Sequence, residues 1–163
     1  MMDIIQFCDW LQAQAFAVAI AESSWQFPAI EVVHVFAITL VFGSIAMIDL
    51  RLLGWSNKDR SVTDVIAQFL SVTWFAFVLA TLSGALMFST HAAKYYLNVP
   101  FRVKMICLLL AGINMVVFHL RTQRRIADWD TGRTPPGARM AGAFSLLLWV
   151  MIVAAGRWIG FTT

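Results

Sequence analysis

Four apolar runs constrain this chain more than any other feature: Pro28 to Leu50, Ala67 to Ala92, Phe101 to Leu120 and Ala141 to Phe161. Each reaches the ~20 residues that an α-helix needs to cross the hydrocarbon core of a bilayer. A segment in hydrocarbon must satisfy its backbone N–H and C=O groups internally, which leaves only helices and closed barrels. The runs are continuously apolar rather than alternating, and each is far longer than the roughly 10 residues of a barrel strand. The sequence therefore predicts an all-α integral membrane protein, a four-helix bundle over residues 26–163. Composition agrees, since 60% of the residues are hydrophobic and only 13% charged, with a mean hydropathy of +0.75. Those values exclude an ordinary water-soluble domain and make the lipid bilayer the first partner.

Aromatic side chains mark the interfaces, with Trp25 and Phe27 before the first run, Trp55 after it, Tyr95 and Tyr96 after the second, and Trp158 near the end of the last. Four spans put both termini on one side. Arg51, Lys58, Arg60, Arg121, Arg124, Arg125, Arg133 and Arg139 fall on the opposite side, eight of the twelve basic residues, while Lys94, Arg102, Lys104 and Arg157 fall toward the termini. Short basic loops stay in the cytoplasm, so the expected location is a bacterial inner membrane with both termini periplasmic.

Residues 1–25 have a small-residue pattern at Ala19 and Ala21, but no Lys or Arg precedes the apolar part and Asp3 and Asp9 interrupt it. Such a segment reads as a retained helix rather than a cleaved signal. Asp3, Gln6, Asp9 and Gln12 beside Ile4, Phe7, Cys8 and Leu11 suit an amphipathic helix lying along the interface. Ser61 or Thr63 is placed to cap the second span, and Pro135 with Pro136 ends the one extended polar loop. Two cysteines, Cys8 and Cys107, with no CxxC spacing, argue against both a disulfide framework and a zinc site. No phosphate loop or nucleic-acid motif is present, and a net charge of +3 is explained by topology.

A rise of 1.5 Å per residue converts position into depth. His34 then lies roughly 9 Å below the periplasmic surface, and Glu31, Met87, His91, Met105, Cys107 and Arg157 fall in the same layer. His119 belongs to the other side. Glu31 and His34 stand at i and i+3 on one face, with Arg157 at a depth where it would neutralise Glu31. Intramembrane ionisable residues usually face the bundle interior and mark function. Asp49 and Arg51, at the other end of the first span, read as partners for charges on the neighbouring loops, and Gly112, Asn114, Ala154 and Gly156 as points of close helix packing.

Two chemistries suit the periplasmic layer. A single b-type haem would take His34 with His91 or with Met87 as axial ligands, with Gly43 and Gly84 relieving crowding, and Glu31 and Arg157 supporting it. Copper(I) would use the softer set His34, His91, Met87 and Cys107. A di-iron centre is excluded, because no second Glu-x-x-His exists. No serine stands in a nucleophile-elbow pattern either.

The stretches "EVVHVFAITLVFGSIAMIDLRLLG", "FRVKMICLLLAGINMVVFH" and "SLLLWVMIVAAGRWIGFT" resemble an uncharacterised family of small four-helix inner-membrane proteins of proteobacteria, from about Glu31 to Thr163. More distantly, the layout is similar to the copper-resistance protein D group and to small b-type cytochromes, although paired histidines at both membrane faces are lacking. The expected function is an inner-membrane redox protein that binds one haem b or a quinol in a periplasmic-side pocket and exchanges electrons with a periplasmic partner. Copper or small-solute handling and a structural accessory role, with homo-oligomerisation, are the alternatives.

Overall fold

The computed structural model describes residues 3–56, 59–122, 126, 129, 130, 132 and 134–162. Four of the basic residues behind the orientation reading, Lys58, Arg124, Arg125 and Arg133, lie outside the described residues, as do Met1, Met2 and Thr163. Every described element is helical: α1 (Ile4–Gln12), α2 (Ala15–Glu22), α3 (Gln26–Leu53), α4 (Val62–Thr90), α5 (Ala92–Leu97), α6 (Val99–Val117) with a π-helical turn (Phe118–Thr122), and α7 (Pro136–Thr162). Helices α3, α4, α6 with its π-turn, and α7 are long and apolar enough to cross a membrane, so the chain is an all-α, multi-pass bundle.

These spans outrun the apolar runs at most of their ends. Helix α3 has 28 residues, about 42 Å, against a hydrocarbon core of about 30 Å, so its polar flanks continue the helix beyond the lipid. Local chemistry sets the ends. Gly54 takes the left-handed conformation (φ 76°) that stops α3, its N–H bonding to Arg51 and Leu50 carbonyls. Ser61 Oγ accepts from Asp64 N at 3.0 Å to cap α4. Asn98 caps α6 by accepting from Phe101 N, and its amide donates to Thr162 Oγ1 at 2.9 Å, tying the start of α6 to the end of α7.

The interfacial segment expected as one helix is a pair. Asp3 and Gln6 form a capping box at the start of α1, the helix breaks at Ala13 and Gln14, and α2 leaves at 64°. Both pieces pack on the terminal end of the bundle, α1 against α4 and α5 and α2 against α3 and α4, burying Cys8, Ala17 and Ile20. Ile4, Phe7 and Trp10 stay exposed on α1.

Helix α4 packs on α3, α3 on α7 and α7 on α6, whereas α4 and α6, the ends of this row, meet through side chains, with Phe88 stacked on Phe101 at 5.3 Å near the terminal end. The mid-bundle core is Val41, Ala76, Cys107, Leu148, Trp149 and Ile152. A second cluster at the loop end joins Leu52, Val62, Phe118 and Ala138, with Trp129 of the connecting loop against it. Gly142 brings α7 onto α3, for a Cβ there would lie 3.2 Å from the Asp49 carbonyl oxygen and 3.1 Å from Leu52 Cβ. Close packing thus falls on a glycine the sequence did not single out. Of those it did, Gly112 meets nothing within 4 Å, Asn114 donates to Ala141 O across the α6–α7 seam, and Ala154 is exposed.

Candidate functional site

Two polar layers interrupt the apolar interior. The layer nearer the termini centres on His34, whose Nδ1 lies 3.0 Å from Ser83 Oγ across the α3–α4 seam. The Ser83 hydroxyl lies 2.6 Å from Leu79 O and donates to it, which assigns the ring proton to Nδ1, donating to Ser83, and the lone pair to Nε2. Gly84 makes room for the ring, since a Cβ there would fall 2.9 Å from His34 Cε1. Lys104 enters the same layer from α6, its charge acting on the imidazole and its Nζ lying 3.6 Å from the Cβ position of Gly156. The sequence reading uses Lys104 only as an orientation signal, although an ionisable residue one turn inside an apolar run points to a polar interior site.

The other residues expected around His34 are dispersed. His91 is exposed at the C-cap of α4, about 12 Å along that helix from Ser83, with Nδ1 at 3.1 Å from Thr90 Oγ1 and its ring edge-on to Tyr95. Met87 is half-buried one turn from Ser83, Met105 faces outward at 48% exposure, and Cys107 is packed into the mid-bundle core. Among the described residues no group of three or more His, Cys, Asp or Glu is placed to hold a metal ion. Gly43, expected to relieve crowding, faces open space, so Gly84 alone does so.

Glu31 and Arg157 do not form the ion pair expected of them. Arg157 turns along its own helix, its guanidinium carbon 5.0 Å above the Phe161 ring, toward the interface where a long cation keeps its hydration. Glu31 is exposed, and its charge is felt instead by Tyr95, whose phenol is pushed up first by burial and then by that carboxylate.

The second layer lies toward the loop end. A cavity of about 210 Å³ is lined by all four spans, including Asp49, Thr73, Asn114, His119, Ser145 and Trp149. Exposed Leu70, Trp74 and Phe77 on α4 and exposed Met115 and His119 beyond them line the cavity between α4 and α6 at this end, so the cavity opens sideways, where lipid would lie. Asp49 is 4% exposed, its Oδ2 has no hydrogen-bond partner among the described residues, and Ser145 stands against its carboxyl. Among the described residues Asp49 meets none of the loop charges expected as its partners, whereas Arg51 does reach the loops, Nε donating to Arg60 O at 2.9 Å and Nη2 to Asp130 O at 3.3 Å. His119 sits on the π-helical turn with Nδ1 directed at Met115 O. Such turns recur at functional sites, and an acid inside an apolar run was the sequence signal for this layer.

Fold and layers together define a polytopic membrane bundle with ionisable groups held inside its spans. Residues 25–162 match the model of a family of unknown function, DUF6644, and the chain belongs to that family, which meets the resemblance to an uncharacterised family at that level. No curated protein and no solved structure matches it.

Proposed function

We propose that the chain is an inner-membrane protein that takes a small bilayer-borne molecule, apolar in body and polar at its head, into the Asp49 cavity. One observation carries this reading: a buried carboxylate with an unpartnered oxygen lines a cavity that is otherwise mostly apolar and opens between α4 and α6. Leaving a carboxylate oxygen dry and unbonded costs several kcal/mol, on the order of what a hydrogen-bonding or charged ligand would recover. A quinol and a lipophilic amine both answer the description, and both travel in hydrocarbon. The excess of basic residues at the loop end supports a cytoplasmic loop end and periplasmic termini.

Gly112→Leu tests the reading. Gly112 lines the cavity and its Cβ position meets nothing within 4 Å, so a larger side chain there projects into the cavity space. In lipid nanodiscs, saturable binding of a short-chain quinol or an arylalkyl amine is expected in the native protein and should be lost in the variant. Equal binding by both would place the site elsewhere.

His34 supports a second reading. An imidazole whose Nδ1–H is held by a hydroxyl, with Nε2 left as the lone pair, has the arrangement of a metal- or haem-ligating histidine. Gently purified protein would then carry a Soret band that shifts on reduction, or stoichiometric copper, and His34→Ala would lose it. A colourless, copper-free preparation would remove this reading.

A further inference from the structure

Resting on the Asp49 cavity as a ligand site, we infer that its ligand is a lipophilic ammonium cation, bound head-first against the Asp49 carboxylate between α4 and α6. Charge balance carries the choice. Asp49 is almost fully buried, and none of the described cations pairs with it. Arg51, two residues on, is itself buried and committed to the carbonyls of Arg60 and Asp130. Lys104 belongs to the His34 layer near the other end of the bundle. His119 reaches the cavity, but its Nδ1 faces the Met115 carbonyl.

A quinol hydroxyl would satisfy Oδ2 with one neutral hydrogen bond and leave the carboxylate's charge uncompensated. An ammonium group supplies the hydrogen bond and the opposite charge together, and so holds ionised a buried carboxyl that would otherwise take up a proton. The walls suit such a head: Trp74, Phe77, Phe118 and Trp149 line the cavity, and aromatic faces attract desolvated cations. Ile45, Ile48 and Leu108 supply apolar surface for the body. An anionic ligand would meet Asp49 as a like charge.

Equilibrium binding in nanodiscs, with three radiolabelled probes, tests the inference: phenylpropylammonium, its neutral isostere with a methyl group in place of the ammonium, and a short-chain quinol. The cation should bind about 10- to 100-fold more tightly than the isostere, the range expected for a hydrogen bond or contact to a charged group. Asp49→Asn should remove that advantage, so that cation and isostere bind the variant alike, and Gly112→Leu should abolish binding of both. If the isostere or the quinol binds native protein as tightly as the cation, the inference is overturned and the cavity reading stands. If none of the three binds at a site sensitive to Gly112→Leu, both fall. The comparison of probes on native protein decides the matter even if Asp49→Asn does not insert.

Discussion

Gly84→Ala is the perturbation whose outcome the geometry specifies most closely. The added Cβ would stand 2.9 Å from His34 Cε1 and 3.4 Å from Nδ1, whereas carbon atoms in contact prefer about 3.5–4.0 Å. The ring must therefore retreat by on the order of 0.5–1 Å, and it is held by the bond to Ser83. Overpacking of this kind costs about 1–3 kcal/mol, and loss of the His34–Ser83 bond adds about 1 kcal/mol. Alanine's advantage over glycine inside a helix returns roughly 0.5–1 kcal/mol. The net expectation is a destabilisation of about 1–3 kcal/mol. In a His34→Ala background the obstruction is gone and only the helix-propensity gain remains, so the same substitution becomes neutral to about 1 kcal/mol stabilising. The coupling between the two positions is then about 1–4 kcal/mol, well above the additivity of distant sites. Reversible unfolding of the four proteins in mixed micelles, followed by circular dichroism, measures it. A coupling below about 0.5 kcal/mol, the additivity expected of distant sites, would refute the placement of the imidazole over Gly84.

Gly142→Ala should destabilise by a comparable amount, about 1–3 kcal/mol, and no single side-chain deletion should rescue it, because the obstruction includes the Asp49 backbone; a neutral result in the same unfolding assay would contradict the α3–α7 seam. With Tyr96→Phe leaving Tyr95 as the only tyrosine, Glu31→Gln should lower the Tyr95 midpoint in an absorbance titration, since Glu31 is one of the two causes that raise it. Because the folded phenol is raised, its contribution to stability is intact below its ordinary value near 10 and is lost as pH climbs through the raised one; an unmoved midpoint would separate Glu31 from Tyr95. A periplasm-active reporter fused after Thr163 should be active and a cytoplasm-active one silent, and the reverse pattern would invert the assignment of the two ends.

The spans were legible because hydrocarbon tolerates little besides a continuous apolar helix, and Ser61 was legible as a cap because its hydroxyl precedes an apolar run. The order in which the helices pack was not. In a bilayer the lipid-facing and core-facing sides are both apolar, so Phe75, 70% exposed, and Ala76, fully buried, stand side by side without a polar residue to mark the inward face. The break at Ala13 and Gln14 carries neither proline nor glycine, and it arises where α1 and α2 each settle on the bundle, Gln12 accepting from Ala93 N. Depth arithmetic placed His34 correctly inside a span but treated every polar group of one depth as neighbours. Depth does not say which way a side chain points, and His91, Met105 and Arg157 point away. Depth excludes His119 from the layer around His34, and Asp49 reads from sequence as a partner for loop charges, yet both line the cavity that opens between α4 and α6.

The central claim, that Asp49 meets a ligand inside the bundle, is tested most directly by infrared difference spectroscopy of the protein in lipid, with and without phenylpropylammonium. Binding should produce a difference signal from a single carboxyl group, absent from Asp49→Asn and from Gly112→Leu. The same carboxyl signal in Asp49→Asn, or saturable binding with no carboxyl signal in the native protein, would contradict the account.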